Sequence, residues 1–230
     1  MRGRRSLHPR RGAADGTPRR PRAERGAGVP GRGDAAGPAH RYRDGARVSG
    51  AALLLAAPET RESVRVVWLG GFGGKEVYER HKFHELNGRA DIVAWRNLFE
   101  GRMDLLPVPG WPAPAKILVQ AVPFAEDLRA LGRPIATYLA EILERWVVEY
   151  GRDIDPEGEK ILWDVACVAA VADPEAVTVE KTALPTLDAA GSHDYSQPGR
   201  EVGMVSDLDE GRVISGLMGA LGRLPEGSRF

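Results

Sequence analysis

Two polar side chains near the start of the segment His84–Glu100, Glu85 and Asn87, are the first that could carry chemistry. They are two positions apart, so in an extended loop both side chains point the same way. A carboxylate beside a carboxamide suits the recognition of sugar hydroxyl groups, because each hydroxyl both donates and accepts a hydrogen bond. The alternative is structural, since polar loop side chains often cap the next helix, as Asp91 could. The pattern alone favours the structural interpretation.

Asp164 is the second candidate, because it lies within the apolar segment ILWDVACVAAV, Ile161–Val171. Burial of an unpaired carboxylate there would cost several kcal/mol. Asp164 therefore either faces a site, where it binds a cation or a hydroxyl, or lies near the first turn of a helix whose backbone satisfies it. The sequence Asp155-Pro156-Glu157 is typical of a helix N-terminus and predicts a helix over Lys160–Val171. The pattern leaves both roles of Asp164 open.

Histidine and cysteine residues give weaker signals. His81, His84 and Glu85 do not form an HExxH pattern, and no third nitrogen or sulfur ligand lies at helical spacing, so solvent-facing histidines are favoured over a metal site. Cys167 lies on an apolar face and is predicted to be a core residue.

Two pairs of residues near the C-terminus are predicted to be structural. His193 and Asp194 lie in GSHDYSQPG, where we expect a solvated loop rather than a lid over a site. Asp207 and Asp209 are predicted to cap the final helix.

Strands and helices are predicted to alternate along the chain, which favours an open, mostly parallel α/β sheet flanked by helices. The glycine-rich turn Gly70–Gly74 lacks the spacing of a nucleotide-binding loop. The predicted strands are Val64–Leu69, Leu105–Val108, Val177–Ala183 and Glu201–Ser206. The other predicted helices are Ser49–Ala57, Ala90–Glu100, Phe124–Leu131, Ile135–Tyr150 and Glu210–Leu221.

Composition divides the chain into a disordered Arg/Gly/Pro-rich leader, residues 1–47, and an α/β domain, residues 48–230. The first 50 residues contain 13 arginines and 4 acidic residues. Nucleic-acid binding by the leader is not favoured, because it has no lysine and only one aromatic residue, Tyr42. No apolar run approaches the roughly 20 residues that span a membrane, and a single cysteine favours a cytoplasmic protein.

Four segments in order resemble the inosine/uridine-preferring nucleoside hydrolase family: VVWLGG, HELNGRAD with its helix, LLPVPGW and ILWDVACVAAVADPEAV. The resemblance covers roughly Val48–Leu221. It implies an open α/β sheet fold and hydrolysis of the N-glycosidic bond of ribonucleosides to ribose and free base, as in purine and pyrimidine salvage. It also implies a calcium ion in the pocket and a small-molecule nucleoside as the partner, with a homo-oligomer among the expectations.

The resemblance assigns roles to individual residues. Glu85 and Asn87 match the family's EFN motif, which holds ribose hydroxyls, although Leu86 replaces its aromatic residue. Leu69 stands where a methionine usually precedes two glycines. Asp164 matches an aspartate that ligates calcium and contacts a ribose hydroxyl, which favours the site role. Trp163 stands where many members have a histidine that assists the leaving base. An indole cannot protonate that base, so its departure would need another donor or mainly stacking assistance.

The family's opening aspartate cluster, DxDxxxDD, has no counterpart, since Asp15, Asp34 and Asp44 are isolated. Calcium takes about six to eight oxygen ligands, so we expect poor calcium binding, no identifiable general base and a sheet without its first strands. The alternative function is a non-catalytic remnant that binds ribose or nucleosides weakly or serves as an interaction module.

Overall fold

The computed structural model describes residues 41–43, 57, 59, 63–82, 85–151 and 158–225. All of them belong to one contact-defined unit, Pro38–Phe230. The predictions for residues 1–40, the helix Ser49–Ala57, His84 and the cap at Asp155 lie outside the described residues.

A three-stranded parallel sheet carries the site. Its strands are β1 (Arg41–Arg43), β2 (Val64–Leu69) and β3 (Asp104–Val108), with β2 in the centre. The predicted bounds of β2 are confirmed, and β3 begins one residue before its prediction. Most side chains of β2 and β3 are buried, as expected for parallel strands covered on both faces. β1 lies inside residues 1–47, for which disorder was expected, and the backbone of its three residues pairs with β2.

Two helices follow β2, α1 (Lys75–His81) and α2 (Ile92–Glu100). The Asp91 carboxylate accepts a hydrogen bond from the Ala94 amide at 2.9 Å, so Asp91 is the predicted helix cap. The apolar face of α2 packs on β2, where the rings of Trp95 and Trp68 lie 5.7 Å apart. This packing sets the position of the loop that precedes α2, which carries Glu85 and Asn87.

The middle of the chain differs from its prediction at one point. Helices α3 (Ala121–Ala130) and α4 (Pro134–Trp146) match two predicted helices, and a π-helical turn, Val147–Gly151, follows α4. The predicted helix Lys160–Val171 is wrong in its first part. Instead, the short strand β5 (Glu159–Ile161) pairs antiparallel with β4 (Leu118–Gln120), and α5 begins only at Val165 and ends at Ala172. The backbone of residues 159–161 satisfies its polar groups in a sheet pairing with a distant segment, which local pattern does not reveal.

The C-terminal part is a long antiparallel hairpin and a helix. Strand β6 (Val177–Leu187) pairs with β7 (His193–Leu208), and α6 (Glu210–Arg223) closes the described chain. The prediction of a solvated loop over GSHDYSQPG is wrong, because β7 begins at His193 and its pairing with β6 extends to Leu187. Asp209 caps α6 by accepting from the Arg212 amide at 2.9 Å, as predicted.

Asp207 is not a helix cap, contrary to its prediction. It lies in β7, where its carboxylate accepts hydrogen bonds from Lys116 and from the Leu208 amide.

Apolar side chains cover both faces of the parallel sheet. The predicted fold class is confirmed as an open α/β fold, although the hairpin β6–β7 and the pair β4–β5 are antiparallel. No helix in the described part of the chain combines the length and the apolar character needed to cross a membrane.

Candidate functional site

A cavity of about 390 Å³ lies where the carboxyl ends of β2 and β3 meet. This edge is the usual location of ligand sites in open α/β sheets. All the site residues predicted from sequence line the cavity: Leu69, Glu85, Asn87, Trp163 and Asp164. The remaining lining residues are Gly70, Gly71, Leu86, Gly110 and Trp111. Segments almost 80 residues apart in sequence, 85–87 and 163–164, are therefore brought together by the fold.

The turn after β2 needs its glycines. Gly71 has a φ of +77°, a left-handed conformation that residues with a Cβ rarely adopt. A Cβ on Gly70 would lie 2.4 Å from the ring of Trp68, which is too close for two non-bonded carbon atoms. The glycines thus let the chain turn tightly over the buried Trp68 and open the cavity at the end of β2.

Glu85 is buried, with only 7% of its surface exposed. One carboxylate oxygen accepts hydrogen bonds from the backbone amides of Gly88 at 2.8 Å and Arg89 at 3.1 Å. Burial raises the pKa of Glu85, and backbone donors, including Gly71, act in the opposite direction. These are the loop-stabilising contacts that the sequence pattern favoured, and they hold a carboxylate rigidly in the cavity wall.

Asn87 ties the loop to the sheet. Its side-chain amide donates a hydrogen bond of 3.0 Å to the carbonyl of Leu69, which is the last residue of β2. The backbone of residues 87–90 forms a turn rather than the extended loop that was expected, yet Glu85 and Asn87 both line the cavity.

Asp164 occupies the N-cap position of α5, and its side chain makes no capping hydrogen bond. The residue is exposed, so neither the expected burial nor the backbone satisfaction at a helix start is observed. Asp164 was expected inside a helix. Instead it lies between β5, which ends at Ile161, and α5, which begins at Val165. The carboxylate therefore lies at the positive end of a helix and beside the cavity, where it can accept hydrogen bonds from a ligand.

Trp111 is a lining residue that the sequence reasoning did not single out. Its ring meets that of Trp163 at 4.9 Å between centroids and an interplanar angle of 63°. The ring of His81, the last residue of α1, stacks on Trp111 at 4.4 Å and 8°. His81 is therefore not the solvent-facing loop histidine that was predicted. The available signal for Trp111 was an aromatic residue directly after a glycine at the end of a buried strand.

The described residues that line the cavity do not fit a calcium site. Two carboxylates line the cavity, Glu85 and Asp164, and an oxygen of Glu85 is already engaged by backbone amides. No group of three or more His, Cys, Asp or Glu residues that could hold a metal is found among the described residues. Calcium takes about six to eight oxygen ligands. We therefore derive no chemical step through a metal.

The remaining candidates lie elsewhere. Cys167 is buried in α5, as predicted for a core residue. Asp194 accepts hydrogen bonds from the amide and hydroxyl of Ser196 within β7. His193 contacts a cluster of aromatic rings rather than solvent: Phe72, Tyr78, Trp95, Phe99 and Tyr195.

A scan against protein-family models gave no match, and a search of curated proteins also gave none. Solved structures do match. A purine-preferring ribonucleoside hydrolase from Gardnerella vaginalis is similar with a TM-score of 0.60 and 19% identity, over 79% of this chain and 59% of that chain. A plant nucleoside hydrolase matches with a TM-score of 0.60 and 20% identity, over 77% of this chain and 60% of that chain.

An inosine-uridine preferring nucleoside hydrolase from Bacillus anthracis matches with a TM-score of 0.53 and 18% identity, over 79% of this chain and 59% of that chain. The chain thus spans no more than 60% of the length of these neighbours. The resemblance seen in the sequence is confirmed at the level of architecture: over most of its length, the chain has the fold of nucleoside hydrolases.

Proposed function

We propose that this protein acts on ribonucleosides as a nucleoside-hydrolase-type N-glycosidase, releasing ribose and a free base. One observation carries the proposal. The residues selected from the sequence as ribose and base contacts line a single cavity at the strand ends of a nucleoside hydrolase fold. A cavity of about 390 Å³ lies within the size range of small-molecule sites, roughly 300–1,000 Å³.

The polar side of the cavity suits a sugar. Asp164 is exposed and can accept hydrogen bonds from two neighbouring hydroxyls. Asn87 is held beside the end of β2 by its bond to Leu69, which places its amide against the same volume. Glu85 is anchored by backbone amides and adds a carboxyl group to this wall. Trp163 supplies an apolar surface on which a base can stack.

Hydrolysis also needs a water molecule to attack the anomeric carbon and a group to take its proton. Apart from Asp164, the metal ligands that the resemblance implies have no counterpart among the described lining residues, and neither has the general base. We therefore expect nucleoside binding to be detectable and turnover by this chain to be slow.

The test uses the full 230-residue chain with inosine and uridine, with and without added calcium. Calorimetry measures binding, and chromatography measures the released base. Asp164→Ala should abolish binding and any turnover, whereas Asp127→Ala, which removes an exposed carboxylate on α3, should leave both unchanged. Absence of binding by the wild-type chain, or binding that Asp164→Ala leaves intact, would contradict the proposal.

A second function, nucleoside binding without hydrolysis, is favoured by the engagement of Glu85 and by the carboxylate count of the cavity. It predicts saturable binding of inosine or uridine with no released base at any calcium concentration. Release of base that depends on Asp164 would exclude it.

We place this activity in the cytoplasm and in nucleoside salvage, with a small-molecule nucleoside as the partner and neither a membrane nor nucleic acid. Fractionation of cells that express the chain would test the location, and light scattering would test for a homo-oligomer.

A further inference from the structure

We propose that Trp111, held in place by His81, binds the base of the nucleoside and is a specificity-determining residue of the cavity. This inference deepens the proposed function, on which it rests. It concerns an aromatic corner, defined as Trp111 and Trp163, which lines the same cavity as the polar residues Glu85, Asn87 and Asp164.

The two indoles are inclined at 63° with centroids 4.9 Å apart. Two planes at this angle form a corner in which a flat ring stacks on one indole while its edge meets the other. Both tryptophans are half-buried and both line the cavity, so part of their aromatic surface is available to a ligand. The exposed Leu86 lines the same cavity and adds an apolar side chain to the two indoles.

The polar groups of the cavity come from two segments, one of which also carries Trp163. Glu85 and Asn87 belong to the loop before α2, and Asp164 begins α5. A ribonucleoside has the same division into a hydroxyl-rich ring and a flat, largely apolar ring. A free sugar would use only the polar groups, and a free base would use only the aromatic corner. The two halves of the site can therefore be tested separately.

His81 fixes the orientation of Trp111. Its imidazole lies almost parallel to the indole, at 8° and 4.4 Å, and so covers one face of it. Gly73 adds a close contact on the backbone, since a Cβ there would lie 3.0 Å from the Trp111 carbonyl. His81 itself is absent from the cavity lining, so it is a positioning residue.

The experiment measures dissociation constants of the full chain for inosine, uridine, hypoxanthine and ribose by calorimetry. Loss of base stacking weakens binding by roughly tenfold or more. Trp111→Ala should therefore weaken the binding of inosine and hypoxanthine by about that factor and leave the binding of ribose unchanged. Uridine should lose less affinity than inosine, because a one-ring base overlaps less with the indole. Trp111→Phe should recover part of the loss.

His81→Ala should weaken the binding of inosine and hypoxanthine less than Trp111→Ala does. His81→Phe keeps a flat ring against the indole and should restore the binding. A purely structural role of His81 would instead lower ribose affinity to the same extent. The matched control is Tyr138→Ala, which removes an aromatic ring that is 45% exposed on α4 and does not line the cavity.

The outcomes separate this inference from the proposed function. If the wild-type chain binds inosine and Trp111→Ala binds it equally well, the base site is overturned and the proposed function stands. If the chain binds hypoxanthine through Trp111 but neither ribose nor inosine, the aromatic corner stands and the proposed function fails. If neither inosine nor hypoxanthine binds, both are overturned.

Discussion

Two groups of aromatic side chains in this protein each contain a histidine, and they differ in what surrounds them. In the aromatic corner, His81 stacks on Trp111 beside a cavity of about 390 Å³. In a second group, the aromatic cluster, His193 is in ring contact with five aromatic side chains. The two indoles of the corner line the cavity, whereas the rings of the cluster pack against each other. We propose that similar residues serve recognition in the corner and stability in the cluster.

The cluster connects elements that are far apart in sequence. Trp95 comes from α2, His193 from the start of β7, and Tyr78 from α1, and the Tyr78 hydroxyl accepts a hydrogen bond from the His193 amide at 3.3 Å. The contact of Trp95 with Trp68 extends the cluster to the central strand. Changes in the cluster should therefore reduce stability, and changes in the corner should reduce binding.

The largest expected effect is that of Trp95→Ala. The indole is only 2% exposed, and truncation of a buried tryptophan costs about 3–5 kcal/mol through lost burial and the cavity left behind. Urea denaturation followed by far-UV circular dichroism measures the free energy of unfolding. Trp111→Ala, at a half-buried tryptophan, should lower the free energy of unfolding clearly less. Equal losses of stability in the two variants would remove the distinction between the corner and the cluster.

The pH dependence of stability should reveal His193. Burial among the rings lowers the pKa of His193 to about 4 in the folded protein, although the Gly191 backbone and the charge of Asp188 act to raise it. The reference value is 6.5, so between these pH values the unfolded chain binds more protons than the folded chain. Stability is therefore full above the unfolded pKa and is lost as pH falls towards about 4.

For a single proton the slope reaches at most about 1.4 kcal/mol per pH unit. His193→Phe keeps an aromatic ring in the cluster and removes the titrating group, so the variant should lose stability less steeply over this range than wild type. Chemical denaturation at several pH values measures both curves. Parallel curves would show that His193 titrates normally in the folded state.

The next two predictions compare the two carboxylates of the cavity, Glu85 and Asp164. Glu85→Ala removes the acceptor of two backbone amides, of which that of Gly88 is buried, and should cost about 1–3 kcal/mol of stability. Glu85→Gln keeps an acceptor oxygen and should cost less. Thermal denaturation of the two variants gives the order, and a neutral effect of Glu85→Ala would contradict the structural role of the carboxylate.

The smallest effect on stability is expected for Asp164→Ala. This carboxylate is exposed and makes no capping bond, so the change should stay within about 0.5 kcal/mol. The same variant should lose nucleoside binding in the calorimetric test above. A large loss of stability would show that Asp164 supports α5 rather than a ligand.

Local pattern predicted much of this fold. The strand Val64–Leu69 was predicted to the residue, because a continuous apolar run that ends at two glycines is typical of a buried parallel strand. The cap at Asp91 and the helix after it follow from residues only a few positions apart. The order of four short segments also indicated the nucleoside hydrolase fold, which the structural neighbours confirm.

The same reasoning failed where strand pairing decides the local structure. Residues 159–161 were expected in a helix and instead pair with β4, and His193 was expected in a loop and instead begins β7. In both cases the partner strand satisfies backbone groups that the local sequence would have left to a helix or to water.

The sequence by itself determined which residue types are available to a site: Glu85, Asn87, Trp163 and Asp164. Only the tertiary structure decided what each of them does there. It buried Glu85 against backbone amides, left Asp164 exposed at the start of α5, and set Trp111 beside Trp163 with His81 behind it. The physical reason is that burial, hydrogen-bond partners and ring contacts depend on segments far apart in the chain.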